Sequence, residues 1–218
     1  MTLKAVILDV DGTLIDTNDA HAHAWVDVCN EFGHPVAFGR VRELIGMGGD
    51  RVLPALTGLS EDSPIGQEMK ERRGKVFREQ YLPSCSPFPC ARELLERMQG
   101  DGLQLVVATS ASADDMAALL KAAGVDDLIE AKTSSSDADR SKPAPDIVEA
   151  ALKNAGCAPH EAIMLGDTPY DVKAANRAGV RCVALRCGGW DDEALADAAA
   201  IYQDAADLLA HYDKSPFG

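Results

Sequence analysis

Four short apolar runs along the chain alternate with segments whose apolar residues recur every three or four positions. The runs cover residues 5–10, 103–108, 162–165 and 180–185. Each run is continuous, which is typical of strands buried on both faces of a parallel sheet. Helix-period segments follow at 116–123, 147–154 and 172–178. Strands that alternate with helices predict an α/β fold built on a doubly wound parallel sheet.

The alternation is interrupted between residues 16 and 87, where helical spacing continues without a buried-strand run. A Pro-rich stretch, LPSCSPFP, ends this interval. We therefore predict two domains: a catalytic core formed by residues 1–15 and 88–218, and an all-helical cap formed by residues 16–87. The cap leaves the core directly after the first strand, so we expect it to cover the carboxyl ends of the strands. Open α/β sheets bind their ligands at that edge.

The bulk composition excludes several classes of partner. A formal charge of −14 over 218 residues argues against non-specific binding to nucleic acid or to an anionic membrane surface. No apolar run reaches the roughly 18 residues of a membrane-spanning helix, and a strand begins almost at once, which indicates no secretory signal. We expect a cytoplasmic protein, a monomer or a weak homodimer, that acts on a small molecule.

Six dispersed cysteines agree with a reducing compartment. None of them forms a C-x-x-C pair, so they are interpreted as reduced thiols. A zinc site or a disulfide between Cys85 and Cys90 is the alternative, but the second pair of ligands that zinc would need is missing.

Two aspartates stand one residue apart at the end of the first apolar run. Side chains alternate along a strand, so Asp9 and Asp11 are expected to point to the same side. Gly12 permits a sharp turn, and Thr13 adds a hydroxyl. A turn with exposed carboxylates and a calcium loop are the alternatives. The calcium interpretation lacks the late glutamate and the preceding helix that such a loop requires.

Two further polar clusters precede predicted helices. Thr109 and Ser110 end the second apolar run and offer hydroxyl and N–H groups to an anion, although a helix N-cap would use the same residues. Ser112 and Asp115 have the spacing of a capping box. Lys142 lies on a turn before a proline, where a solvated lysine is the ordinary alternative.

The last cluster, GDTPYD, follows the third apolar run. Thr168 and Asp171 form a capping box, with Pro169 at the first helical position. This gives Asp171 a structural explanation. Asp167 has none, because it stands at the end of the strand, before the cap.

Together these clusters carry a family resemblance that covers essentially the whole chain. They resemble the four motifs of the haloacid dehalogenase superfamily, in particular its phosphoglycolate phosphatase and β-phosphoglucomutase types. The matching residues are Asp9-x-Asp11-Gly12-Thr13, Thr109, Lys142-Pro143 and Gly166-Asp167…Asp171. The resemblance implies a Rossmann-like core, a helical cap between the first and second motifs, and a requirement for Mg²⁺.

The resemblance also implies how the acidic residues act. Asp9 would be the nucleophile that forms an aspartyl-phosphate. Asp11 would protonate the leaving alcohol and then deprotonate water, with a pKa raised by burial and nearby charge. The carboxylates of Asp9 and Asp167 and the backbone carbonyl of Asp11 would hold Mg²⁺, while Asp171 would hold metal-bound waters or orient Lys142.

Cations and hydroxyls complete the implied site. Lys142 would neutralise Asp9 and the phosphoryl oxygens, and Thr109 with the N–H of Ser110 would bind the phosphoryl group. A divalent cation and a lysine would also explain why crowded carboxylates are tolerated, since like charges at close range otherwise destabilise one another. The implied reaction is the hydrolysis of a phosphate monoester through an ionised carboxylate nucleophile.

The cap is expected to select the leaving group. His21 corresponds to a cap-helix residue of the β-phosphoglucomutase type, with a surface position as the alternative, whereas Trp25 fits a core position. The loop LIGMGGDRV resembles the cap's specificity loop, with Gly46, Gly49 and Arg51 as its candidate residues.

We therefore predict a Mg²⁺-dependent phosphatase that acts on phosphoglycolate or a sugar phosphate. Gly49 stands where the mutase type has a basic residue, which argues against the first alternative, a sugar-phosphate mutase. The loop also lacks the lysine of the phosphonate-hydrolysing type. A non-catalytic regulator that binds phosphometabolites is the second alternative, and the intact set of acids argues against it.

Overall fold

The computed structural model describes residues 2–218 and contains one sheet of six parallel strands. The strands lie in the order β3-β2-β1-β4-β5-β6. Their bounds are β1 Ala5–Leu8, β2 Gln104–Ala108, β3 Ala131–Thr133, β4 Ala162–Gly166, β5 Arg181–Leu185 and β6 Ala200–Tyr202. Because β1 pairs with both β2 and β4, the strand order reverses at the middle of the sheet. The predicted doubly wound α/β fold is confirmed.

Nine α-helices accompany the sheet in the described residues. Four of them fall within the predicted cap interval: α1 Asn18–Glu31, α2 Phe38–Arg42, α3 Gly49–Thr57 and α4 Pro64–Val76. A π-helical turn, Phe77–Tyr81, continues α4. The others are α5 Ala91–Gly100, α6 Ala113–Ala123, α7 Asp146–Ala155, α8 Pro169–Arg177 and α9 Ala205–Ala210.

The sheet is buried on both faces, which is why its strands are continuous apolar runs. In β1, Val6 and Leu8 belong to the hydrophobic cluster that also holds side chains of α1, α5, α6 and α9. Ala5 and Ile7 point the other way, into the cluster formed with α7 and α8. All four residues are fully buried. The period-2 alternation of a strand therefore supplies both cores at once.

Two strands were not predicted from the sequence. β3 and β6 are three residues long and lie at the two edges of the sheet. Lys132 in β3 is exposed, and no residue of β6 is fully buried. Edge strands this short carry no continuous apolar run, so the pattern that identified the four central strands is missing from them.

The two chain segments that join the helices α1–α4 to the rest of the molecule run side by side. Asp16 N donates to Ser86 O at 3.0 Å, and Phe88 N donates to Leu14 O at 3.0 Å. These crossings coincide with the sequence boundaries proposed at 15/16 and 87/88. The division into core and cap at those positions stays a prediction.

The structure bears on two predictions, one about the cysteines and one about membrane-spanning helices. All six cysteines, including Cys85 and Cys90, are free thiols. Among residues 2–218 there is no helix with the length and apolar character needed to cross a bilayer.

The packing of the central strand gives a test of the core. Leu165 is fully buried in β4, so Leu165→Ala is expected to lower the free energy of unfolding by about 2–5 kcal/mol, since it leaves a cavity. Ile65 is 51% exposed, and Ile65→Ala should stay within about 0.5 kcal/mol of wild type. Urea denaturation followed by circular dichroism measures both. Equal losses for the two variants would contradict this account of the core.

Candidate active site

Three buried carboxylates surround one buried ammonium group at the carboxyl edge of the sheet. Lys142 is 1% exposed, and its Nζ lies 2.6 Å from Asp9 Oδ1 and 2.7 Å from Asp171 Oδ1. Asp167 completes the group, because one oxygen each of Asp9, Asp167 and Asp171 lie within 4.8 Å of one another. Residues 133 positions apart in the chain, Asp9 and Lys142, thus meet directly.

The ends of neighbouring strands bring these side chains together. Asp9 follows β1, and its N–H donates to Leu165 O of β4 at 2.9 Å, so the ladder continues to the site. Asp167 follows β4, whereas Asp171 lies in the first turn of α8. The predicted capping box is present, with Thr168 Oγ1 donating to Asp171 Oδ2 at 2.6 Å. Asp171 therefore caps its helix with one oxygen and contacts Lys142 with the other.

The electrostatics of the cluster show an excess of negative charge. Burial is the main cause that raises the pKa of Asp9 well above its ordinary value, and Asp171 and Asp167 raise it further against the opposing effect of Lys142. Burial and then Asp171 raise the pKa of Asp167 to about 7. Burial acts to lower the pKa of Lys142, but Asp171 and Asp9 outweigh it and raise that pKa. One ammonium group contacts two of the three carboxylates and cannot balance the charge of all three.

The donor set fits a hard divalent cation. The three carboxylates supply only oxygen atoms, which Mg²⁺ prefers. Two glycines leave room around Asp167: a Cβ on Gly188 would lie 1.8 Å from Asp167 Oδ2, and a Cβ on Gly12 would lie 2.2 Å from the same atom. Gly12 also has a φ of +73°, which disfavours other residues there. Bulk at either position would displace the carboxylate.

Neutral donors orient Asp167, and one of them comes from the cap helix. Thr13 Oγ1 donates to Asp167 Oδ1 at 2.9 Å. Asn18 Nδ2 donates to Asp167 Oδ2 at 2.8 Å and to Gly188 O at 3.1 Å. Asn18 is the first residue of α1 and is absent from the sequence-based candidates. An asparagine at a helix start is typical of ordinary capping, so this contact could not be predicted from the residue's position in the chain.

The second aspartate of the first motif is held by the cap. Asp11 Oδ1 accepts from Thr17 Oγ1 at 2.6 Å and lies 2.7 Å from His21 Nε2. His21 is buried and stacks on Phe77 with ring centroids 3.8 Å apart. The alternative of a surface position for His21 is therefore wrong.

The expected raised pKa of Asp11 is also wrong in this arrangement. Burial acts to raise the pKa, as the sequence analysis assumed, but the charge and hydrogen bond of His21 and the hydrogen bond of Thr17 outweigh it. The net effect lowers the pKa of Asp11. The sequence could not reveal this, because the partners of Asp11 depend on how α1 packs against the end of β1.

The hydroxyl residues after β2 face the same region. Thr109 is buried, and its Oγ1 accepts from Ala111 N at 3.1 Å. Ser110 Oγ is buried without a hydrogen-bond partner among the described residues. Buried polar groups are ordinarily satisfied, so this hydroxyl is available to a ligand.

A small chamber of about 50 Å³ opens over these groups. Its lining comes from both the strand ends and the helices of the cap: Asp9, Asp11, His21, Trp25, Ile45, Gly46, Met47, Gly49, Arg73, Thr109, Ser110 and Ala111. Two specificity-loop candidates, Gly46 and Gly49, are therefore in the chamber wall. Arg51 is not part of this wall, and its Nε donates to Ser141 O at 3.2 Å.

A second link between cap and core was not predicted. Arg73 Nη1 lies 3.3 Å from Asp115 Oδ2, and the Arg78 guanidinium donates to Asp115 Oδ1. Ser112 Oγ accepts from Asp115 N at 3.2 Å, so only half of the predicted capping box forms. The Asp115 carboxylate is turned to the two arginines instead. Charged residues on a helix usually indicate a solvent-exposed face. The sequence pattern therefore did not predict this contact.

Comparison with known proteins agrees with this geometry. A family model described as haloacid dehalogenase-like hydrolase matches residues 6–185. Phosphoglycolate phosphatase 1 of Pseudomonas aeruginosa is 30% identical over 220 residues, covering 97% of this chain and 80% of that protein. The crystal structure of a hydrolase from Pseudomonas syringae superposes with a TM-score of 0.90 at 31% identity, covering 97% of this chain and 98% of the other.

One relative is much longer than this chain. Protein SUPPRESSOR OF QUENCHING 1 of Arabidopsis thaliana is 32% identical over 188 residues, which are 84% of this chain but 18% of that protein. The family model covers well over half of the chain and includes every core-motif residue described above. The chain belongs to the haloacid dehalogenase-like hydrolase family.

Proposed function

We propose that this chain is a Mg²⁺-dependent phosphatase that hydrolyses a small phosphorylated metabolite through an aspartyl-phosphate on Asp9. The coarser statement, a phosphatase of the haloacid dehalogenase family, rests on the family model and on relatives named as phosphatases. The finer one rests mainly on one observation: Asp9 contacts Lys142, forms one carboxylate cluster with Asp167 and Asp171, and lines the chamber whose wall includes residues of α1 and α4.

In the first step, a carboxylate oxygen of Asp9 attacks phosphorus and the bond from phosphorus to the leaving alcohol oxygen breaks. The electron pair of that bond leaves with the alcohol oxygen, which takes a proton from Asp11. The products of this step are the free alcohol and an acyl phosphate on Asp9. Asp9 needs no activating base, since a carboxylate is already nucleophilic when ionised.

In the second step, water attacks the phosphorus of the acyl phosphate while Asp11 accepts a proton from it. The bond between phosphorus and the Asp9 oxygen breaks, which regenerates the carboxylate and releases inorganic phosphate. Asp11 ends the cycle protonated, ready for the next leaving group. One residue serves both steps because the second reverses the proton demand of the first.

The other residues of the site manage charge and position. Lys142 neutralises Asp9 and the phosphoryl oxygens, while Thr109 and the N–H of Ser110 hold the phosphoryl group. Mg²⁺, held by Asp9, Asp167 and the Asp11 carbonyl with Asp171 nearby, would offset the repulsion between a dianionic ester and a carboxylate. His21, whose Nε2 lies 2.7 Å from Asp11 Oδ1, positions Asp11.

The remaining alternatives differ in the substrate and in the reaction: a phosphatase for phosphoglycolate or a sugar phosphate, a mutase, and a non-catalytic regulator. A relative's name supports phosphoglycolate, and a sugar phosphate suits the same chemistry. A mutase would need a loop cation for a second phosphate, but Gly49 lines the chamber and Arg51 donates to Ser141 O. A non-catalytic regulator would not need the complete acid set. The cytoplasmic location and the monomeric or weakly dimeric state stay predictions of the sequence.

The nucleophile can be tested with p-nitrophenyl phosphate. Asp9→Asn should lower kcat by at least about a thousandfold at saturating Mg²⁺, because the amide cannot form the acyl phosphate. Asp16→Asn, an exposed carboxylate nearby, should retain wild-type turnover. Full turnover in the Asp9 variant would contradict the role of Asp9 as nucleophile. Turnover by the wild type after removal of Mg²⁺ with EDTA would contradict the metal requirement.

The role of His21 gives a prediction about acidity. In His21→Asn the pKa of Asp11 should rise, since the ionised form loses the partner that favours it against burial. Carboxyl ¹³C NMR titration of the metal-free protein measures this value directly. His23, an exposed residue of the same helix, provides the control variant His23→Asn, which should leave the titration unchanged. An unshifted Asp11 in His21→Asn would mean that the contact does not set its acidity.

Asn18 gives a prediction about metal affinity. Asn18→Ala removes a donor that lowers the pKa of Asp167, so the carboxylate should hold its proton more tightly and bind Mg²⁺ about 10–100-fold more weakly. The rise of Tm with Mg²⁺ concentration measures the apparent Kd. Asn30→Ala, at an exposed position of the same helix, should match wild type. Identical titrations for Asn18→Ala and wild type would exclude Asn18 from the support of the metal.

A further inference from the structure

We infer that the physiological leaving group is an uncharged or amine-bearing polyhydroxylated alcohol of roughly sugar size, and not an acid or a second phosphate. This inference rests on the proposed phosphatase function and narrows its substrate class. It comes from the volume, the continuity and the charge of a second cavity beside the chamber.

The second cavity is far larger than the chamber over the carboxylates. Its volume is about 370 Å³, against about 50 Å³ for the chamber. Pockets that enclose small organic ligands commonly measure about 300–1,000 Å³. The chamber is suited to the phosphoryl group, and the second cavity to the alcohol. A two-carbon alcohol such as glycolate would leave most of this cavity unfilled.

The two spaces are continuous, so one substrate can occupy both. They share five lining residues, Trp25, Gly49, Arg73, Thr109 and Ser110. Ser110 Oγ is the buried hydroxyl without a partner in the described chain. It lies at the junction, where a substrate hydroxyl or ester oxygen would satisfy it.

The charges of the second cavity disfavour anions. Its lining holds six carboxylates and three cations. Each of the cations is already paired with a carboxylate of the protein: Lys70 with Glu61, and both Arg73 and Arg78 with Asp115. The other four carboxylates of this lining have no ion pair with a residue of 2–218: Asp50, Glu71, Asp114 and Asp139. A carboxylate or phosphate on the leaving group would meet a lining of net negative charge in which every cation already contacts a carboxylate of the protein.

The same walls suit hydroxyl and amine groups. Five hydroxyl side chains line the cavity, namely Thr109, Ser110, Ser112, Ser135 and Ser141. Hydroxyls and carboxylates together accept and donate hydrogen bonds to a polyol, whereas an ammonium group would gain from the unpaired acids. Recognition by several polar groups also gives strong discrimination against substrates that leave them unsatisfied.

Steady-state kinetics on a defined panel tests this inference. The substrates are glucose 6-phosphate, glucosamine 6-phosphate, 2-phosphoglycolate and glucose 1,6-bisphosphate, with p-nitrophenyl phosphate as the reference. We expect kcat/KM for the first two to exceed the values for the two anionic leaving groups by at least about tenfold. A preference for 2-phosphoglycolate or the bisphosphate would overturn the inference, while p-nitrophenyl phosphate turnover would keep the phosphatase proposal intact. No turnover of p-nitrophenyl phosphate would overturn the proposed function, and the inference with it.

A charge variant tests the electrostatic cause. Asp115→Asn removes the one carboxylate that contacts both Arg73 and Arg78, so the ratio of kcat/KM for 2-phosphoglycolate to that for glucose 6-phosphate should rise about tenfold. Asp126→Asn, exposed just beyond the same helix, should keep the wild-type ratio. The ratio does not depend on the folded fraction, so partial unfolding of the variant leaves the test valid. An unchanged ratio would exclude cavity charge as the source of selectivity.

Discussion

Three carboxylates and one ammonium group are buried close together, and the balance of their charges governs the rest of the structure. Removing one partner of a buried ion pair costs about 3–5 kcal/mol, because the other charge is left uncompensated. Lys142 therefore cannot be an ordinary surface lysine, and the 2.6 and 2.7 Å contacts to Asp9 and Asp171 fix its position. The remaining negative charge defines the chemistry that the site can perform: it can hold a divalent cation and, with that cation, a phosphate.

The topology explains why these groups meet. β1 and β4 are neighbours at the point where the strand order reverses, and Asp9 and Asp167 follow directly from them. Crossover helices diverge at such a point and leave a crevice. Helix α1 covers the crevice and contributes Asn18 to Asp167 and His21 to Asp11. Helix α1 therefore covers the site and also supplies side chains to it.

Sequence reasoning predicted what depends on local pattern. The four central strands, the helical insertion and the core motif residues each carry a periodicity or a spacing that the chain displays directly. It missed β3 and β6, whose three residues show no run, and it missed Asn18 and Asp115. Those two act through contacts across long chain separations, which neither spacing nor propensity encodes. The prediction of a raised pKa for Asp11 failed for the same reason, because His21 on another element outweighs the effect of burial on that pKa.

The chamber and the second cavity are proposed to bind groups of different charge. Ion pairs within the protein set the charge of each space. Under the proposed function, the chamber takes the dianionic phosphoryl group beside Asp9, and Asp9 contacts Lys142. In the second cavity the cap arginines, which could have served a second anion, are held by Asp115 of the core. That pairing ties the cap to the core and removes positive charge from the leaving-group side in a single contact. A substrate with a neutral alcohol portion, as we propose, would leave that interaction intact.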